Sequence, residues 1–206
     1  MLGSIEITGE QAHSSLDGYN VIRESLDFLK ELQGYAKVRE KCISKLRAPP
    51  GSKHPYVWGR FNLTMLNGGV KENIMPPSLR VGFDLRIAPD EDERKVVKEF
   101  ETLACGLLEK YKLNGKLNYS LHSGYFIDEK IVIAKRLAAS YEKVFGKKPD
   151  LCSSLGGTDG TYLSELVPCV VFAPGAKNMH AANEYVEIED LEKCAETVVK
   201  MIVDWR

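Results

Sequence analysis

The chain has 206 residues, 44% hydrophobic and 28% charged, with a formal net charge of -1. This is ordinary for a globular protein, and a near-neutral balance argues against nucleic acid or an anionic membrane as a partner. No apolar run reaches the length that spans a bilayer, and Met1-Leu2-Gly3-Ser4 does not open the basic-then-apolar pattern of a signal peptide. The five cysteines are odd in number and form no Cys-x-x-Cys, which disfavours a disulfide framework or a zinc knuckle and points to the cytoplasm. Cys105 and Cys194 fall in amphipathic patterns, where a small buried thiol is expected.

Residues 2–8 alternate and predict a strand, and Asp17-Gly18 breaks the chain. Val21, Ile22, Leu26, Leu29 and Leu32 follow at helical spacing, and a less regular continuation extends that helix to about Leu46, ahead of Pro49-Pro50-Gly51. Residues 56–66 predict a strand, and Asn67-Gly68-Gly69 a turn. A further strand places Leu79, Val81, Phe83, Leu85 and Ile87 on one face and Arg80, Gly82, Asp84 and Arg86 on the other. Pro89-Asp90 caps a helix from about Glu91 to Tyr111, and Asn114-Gly115 turns into a strand over 116–121.

The order is βαββαβ, the ferredoxin-like split βαβ unit, assigned to residues 1–125. Residues 126–206 read as a partial α/β domain. Its predicted elements are a helix over 129–145, a short strand over 151–154 and a tight glycine loop at Gly156-Gly157-Thr158-Asp159-Gly160. A short helix over 161–165, a buried-type strand over 167–172 and a terminal helix over 188–205 complete it. The fold class is therefore α+β.

Four clusters carry candidate chemistry. His13 stands in a polar turn just after the first strand, where functional residues are often presented; taken alone, the plainer reading is a surface turn that happens to contain histidine. Ser14 and Ser15 lack the Gly-x-Ser-x-Gly elbow of a serine hydrolase. Asn73 and Arg86, from Asn73-Ile74-Met75-Pro76 and Asp84-Leu85-Arg86, suit a clamp on a carboxylate, against the plainer reading of a solvated sheet face. The backbone of Gly156, Gly157 and Thr158 could hold an anion, or the turn merely needs glycine, and no Walker lysine follows. His180, after Pro174-Gly175 and before Asn183-Glu184-Tyr185, suits a metal ligand, although a hydrolytic zinc site needs several converging ligands.

In this order and at these spacings the clusters resemble the M20 family of zinc-dependent amidohydrolases and peptidases, over essentially the whole chain. His13-Ser14-Ser15 resembles the start of that family's lid, or dimerisation, domain. Asn73-Ile74-Met75-Pro76 with Asp84-Leu85-Arg86 is similar to its Asn-x-x-Pro…Asp-x-Arg signature, and the glycine loop and His180 run to the end of its catalytic domain. The resemblance implies that His13 reaches into the other subunit's site and helps stabilise the tetrahedral intermediate. It implies that Asn73 and Arg86 contact substrate, that Gly156, Gly157 and Thr158 line the substrate end of the pocket, and that His180 ligates zinc or cobalt.

The resemblance further implies a homodimer through the lid and hydrolysis of N-acyl amino acids or peptides, such as acetylornithine or succinyl-diaminopimelate. The family's His-x-Asp and Glu-Glu motifs do not occur here. The expectation is accordingly a chain inactive by itself that does not hold metal stably alone. It would act with a separate N-terminal catalytic subunit or be a truncated remnant. The rival expectation is a non-catalytic dimerisation or small-molecule-binding module.

Overall fold

The computed structural model describes residues 1–122 and 124–205. In chain order its elements are β1 (Leu2–Thr8), β2 (Ala12–His13), α1 (Val21–Arg39), β3 (Ile43–Arg47), β4 (Tyr56–Trp58), β5 (Arg60–Gly68), β6 (Ile74–Met75), β7 (Ser78–Arg86), α2 (Glu93–Lys110), β8 (Gly115–Ser120), α3 (Val132–Phe145), α4 (Gly160–Leu163) and α5 (Ile188–Val203). The architecture is mixed α/β, and its contacts divide into two units. The first is Met1–Leu46 with Ser52–His122; the second joins Arg47–Gly51 to the remaining C-terminal residues. No described helix is long and apolar enough to cross a membrane.

The first unit holds a four-stranded sheet of order β5-β7-β1-β8, and each neighbouring pair is antiparallel. β7 alternates as its sequence predicts: Val81, Phe83 and Leu85 are buried, while Arg80 and Arg86 are exposed. Opposite them, Ile5 and Ile7 of β1 are fully buried. α1 and α2 lay their apolar stripes on this core through Phe28 and Leu32 of α1 and Phe100 and Ala104 of α2, all four fully buried. Each of these helices is capped by a short polar side chain. Asn20 accepts the amides of Ile22 and Arg23 at 3.1 and 3.3 Å, and Asp92 accepts that of Lys95 at 3.2 Å.

Several expected elements differ. α1 ends at Arg39 rather than near Leu46, because residues 43–47 pair as β3 with β4. The α2 cap is Asp92, not Pro89-Asp90: the Asp90 carboxylate accepts the Lys45 amide at 2.9 Å instead, and that of Glu91 accepts the Ala88 amide at 2.8 Å and pairs with Arg39. Cys194 is buried as expected, but Cys105 is exposed. The buried stripe of α2 runs through Val97, Phe100, Ala104 and Leu108, and position 105 is turned about 100° from Ala104.

The second unit packs α3 against α5. Asp204 fastens the end of α5 to α3, its carbonyl accepting from Arg136 at 3.0 Å and its carboxylate from Lys143 at 2.9 Å. Gly146, at φ 67°, ends α3 in the left-handed conformation that favours glycine. Residues 151–154 and 167–172 are not strands, contrary to expectation, the second despite its apolar composition. A strand exists only by pairing, and the described residues offer these segments no partner strand. Leu166, Val167 and Val171 are accordingly exposed.

Candidate functional site

The candidate residues of the first unit fall at two ends of β7. At one end β2 and β6 form a two-residue ribbon, Ala12 opposite Met75 and His13 opposite Ile74. This ribbon brings the Asn73 side-chain amide to 3.3 Å from His13 Nε2, across sixty residues of sequence. The Ser14 amide donates to the Asn73 carbonyl at 3.0 Å, which ties the two loops together. On the other side of the ring, Nδ1 lies 2.7 Å from Ser15 Oγ and accepts the Ser15 amide at 3.2 Å. His13 and Asn73 are both solvent-exposed, so the pair is presented outward, available to a ligand or a second chain.

Arg86 is not part of that group. It ends β7, eight residues beyond Ser78, or about 26 Å along a strand that rises about 3.3 Å per residue. Its Nε donates to Asp84 at 2.8 Å on the same face of the strand. Directly across the ladder stands Arg60. Burial, with Arg86 nearby, pushes the Arg60 guanidinium below its usual pKa. The Arg60 guanidinium lies over the Trp58 ring, 5.0 Å from its centroid, while Asp84 is paired with Arg86, so a second cation stands beside that pair. Sequence reasoning missed Arg60, because its position opposite Arg86 depends on a register that passes through a bulge between Leu63 and Met65.

In the second unit, Gly156 donates its amide to Ser154 Oγ at 3.3 Å, and the chain turns into the short helix α4. Neither Gly156 nor Gly157 adopts a positive φ, and a β-carbon added to either would meet no atom within 4 Å among the described residues. The turn itself therefore does not require glycine at these two positions. Gly160 differs, since a β-carbon there would strike the Tyr125 hydroxyl. A Gly157→Ala variant is expected to unfold within about 1 kcal/mol of the parent in urea denaturation. A larger loss would show that the turn does need this glycine.

His180 is exposed and sits in a loop closed by an isolated bridge between Lys177 and Tyr185, whose amides and carbonyls pair at 2.8 and 3.2 Å. Three non-glycine residues of that loop, Asn178, His180 and Asn183, hold φ of 56–60°. Such residues are uncommon in that region and persist where the surroundings fix them. The His180 amide donates to the Glu184 carboxylate at 3.2 Å. Among the described residues no group of three or more His, Cys, Asp or Glu is placed to hold a metal ion. One imidazole and one nearby carboxylate do not amount to a hydrolytic metal site, which needs more ligands and a base.

The first unit is thus an antiparallel sheet covered by two helices, with an exposed His–Asn pair near one end of β7. A model of the peptidase dimerisation domain of the M20 family matches residues 1–112, and the chain belongs to that family. Succinyl-diaminopimelate desuccinylase of Nitrosomonas eutropha is 26% identical over 135 residues, covering 65% of this chain and 35% of that protein. An uncharacterized metallohydrolase of Methanococcus maripaludis, MMP1398, is 26% identical over 215 residues, covering 96% of this chain and 50% of its own length.

Among solved structures, the di-peptidase Dug1p of Saccharomyces cerevisiae superposes with a TM-score of 0.74 at 14% identity, over 98% of this chain and 53% of that one. Human carnosine dipeptidase 1 gives 0.72 at 14% identity, over 97% and 54%. At that identity the likeness is one of fold. The chain thus spans from about a third to about half the length of the proteins it matches.

Proposed function

We propose that this chain is part of a metal-dependent amide hydrolase that cleaves N-acyl amino acids or short peptides next to a free carboxylate. The observation that carries the reading is the His13–Asn73 pair, assembled by the β2–β6 ribbon on a peptidase dimerisation domain and aimed outward. In this reading the β1-α1-β5-β7-α2-β8 unit is a ferredoxin-like lid that pairs with the lid of a second copy. Residues 126–206 form the closing part of the catalytic domain.

The separation along β7 gives its two ends different tasks. His13 and Asn73 serve the site of the partner subunit, where an imidazole N–H meets the oxygen of the tetrahedral intermediate. Arg86, supported by Arg60, takes the substrate carboxylate at the other end. Gly156, Gly157 and Thr158 line the substrate end of the pocket. His180 would supply one ligand to a zinc or cobalt ion, whose other ligands, with the general base, would come from outside these 206 residues. Such an ion would supply polarisation of the amide carbonyl and activation of water.

The test joins this chain to the polypeptide that carries the His-x-Asp and Glu-Glu motifs and measures turnover of acetylornithine and succinyl-diaminopimelate. His13→Ala is expected to lower kcat by about 10²–10³-fold with little change in KM, the cost of one oxyanion donor. An unchanged kcat would remove His13 from the reaction. The 206-residue chain alone is expected to turn over neither substrate.

A further inference from the structure

α5 carries two apolar faces, and α3 takes one of them. Each residue of a helix is turned about 100° from the last. Cys194 and Thr197 fall on one side of α5, buried where α3 packs. Ile188, Leu191, Ala195, Val198, Val199 and Ile202 fall beside it, within an arc of about 100°. All six are exposed, Ile188 to 74% and Ile202 to 62%. Glu189, Glu192, Glu196 and Lys200 keep to the rest of the helix, so the stripe is unbroken over about 21 Å. A helix ordinarily turns such a stripe toward a core, and an open apolar face of this extent marks a surface that other polypeptide covers.

Two observations say what covers it. The first unit has a closed core, in which Phe28, Phe61, Phe83 and Phe100 are all buried. In the second unit, among the described residues, only Ala48, Ser140, Cys194 and Thr197 are buried, so no large side chain is enclosed. The solved structures that superpose on 97–98% of this chain do so with 53–54% of their own length. Their fold thus includes nearly as much polypeptide again, and the second unit is the one whose core is open to receive it. A second copy of this chain would bring the same open unit, not the material that fills it.

We infer that the Ile188–Ile202 stripe of α5 docks the remaining half of the M20 fold, through an apolar, largely aliphatic face of that half. This deepens the proposed function and rests on it for the partner: the docked half is the one that carries the other metal ligands and the general base. The branched side chains of the stripe suit such a partner, because they interdigitate with other aliphatics to the density of a protein interior.

The test co-expresses this chain with the polypeptide that carries the His-x-Asp and Glu-Glu motifs and reads their dissociation constant from sedimentation velocity over a dilution series. The parent is expected to form a complex of equal stoichiometry. Val199→Glu combined with Ile202→Glu is expected to weaken it about tenfold or more, because two carboxylates would be carried into an apolar contact. Both positions are exposed in the chain alone, so its far-UV circular dichroism is expected to stay that of the parent. Val38→Glu, at an exposed apolar position of α1, is expected to leave the affinity unchanged.

No complex, or a complex that the α5 double variant leaves at full affinity, overturns the inference. So does a chain that self-associates through the stripe and does not yield to the added half. Failure of the functional reading is distinct from these results: the complex forms and responds to the α5 variant, yet turns over neither acetylornithine nor succinyl-diaminopimelate.

Discussion

Phe100→Ala is expected to destabilise the first unit by about 3–5 kcal/mol, a large share of the ~5–15 kcal/mol that holds a typical domain folded. Phe100 is fully buried where both helices meet the sheet. Its ring lies 4.8 Å from Phe83 of β7, 5.3 Å from Phe61 of β5 and 5.7 Å from Tyr35 of α1, centroid to centroid. Removing it deletes one buried aromatic and leaves a void walled by three others. Those rings are broad and rigid, so the site collapses poorly and the cavity cost stays high. Urea unfolding followed by far-UV circular dichroism measures the loss. A loss below about 1 kcal/mol would mean that this cluster does not organise the core.

The second large effect concerns charge. Arg39 is buried, its side chain 2% exposed, and it donates to Glu91 at 2.6 Å. It also reaches the Arg86 carbonyl at 3.5 Å, and it packs so closely on Gly59 that an added β-carbon would sit 2.6 Å from Nη2. Glu91→Ala strands the guanidinium in this enclosure and is expected to cost about 3–5 kcal/mol. Arg39→Met is expected to cost less, about 1–3 kcal/mol, because Glu91 is 20% exposed and can turn to water while an apolar chain fills the space. The double variant is expected to resemble Arg39→Met alone. A double-mutant cycle in urea measures the coupling, and additive losses would show that the pair does not act as a unit.

The sheet and its two covering helices were legible because their signals are local. β7 alternates through Leu79, Val81, Phe83 and Leu85, and α2 repeats its stripe across about three turns, so either can be read without knowing its neighbours. Elements that depend on a partner were not legible. Residues 43–47 have no strong pattern and become β3 only by meeting β4, whereas residues 167–172 have strand composition and no strand to meet. The same division holds at the candidate site. His13 and Asn73 each stand out in sequence, but their meeting depends on the pairing of two-residue strands sixty positions apart. Arg86 and Asn73 look like neighbours on the page, and β7 holds them at opposite ends.

A ribbon of two residue pairs is too short to set its own alignment. The β2–β6 ribbon inherits it from the β1–β7 ladder, which runs to Thr8 opposite Ser78 and is continued by the Gly9 amide on the Pro77 carbonyl at 2.7 Å. A slip of one residue in that ladder would turn Ile5 and Ile7 out of the core and carry His13 away from Asn73 in the same movement. Two isoleucines far from any ligand thus act as the vernier for an exposed polar pair. In the time course of folding, that pair is expected to form late, because it closes over a long stretch of chain and depends on the register of the sheet.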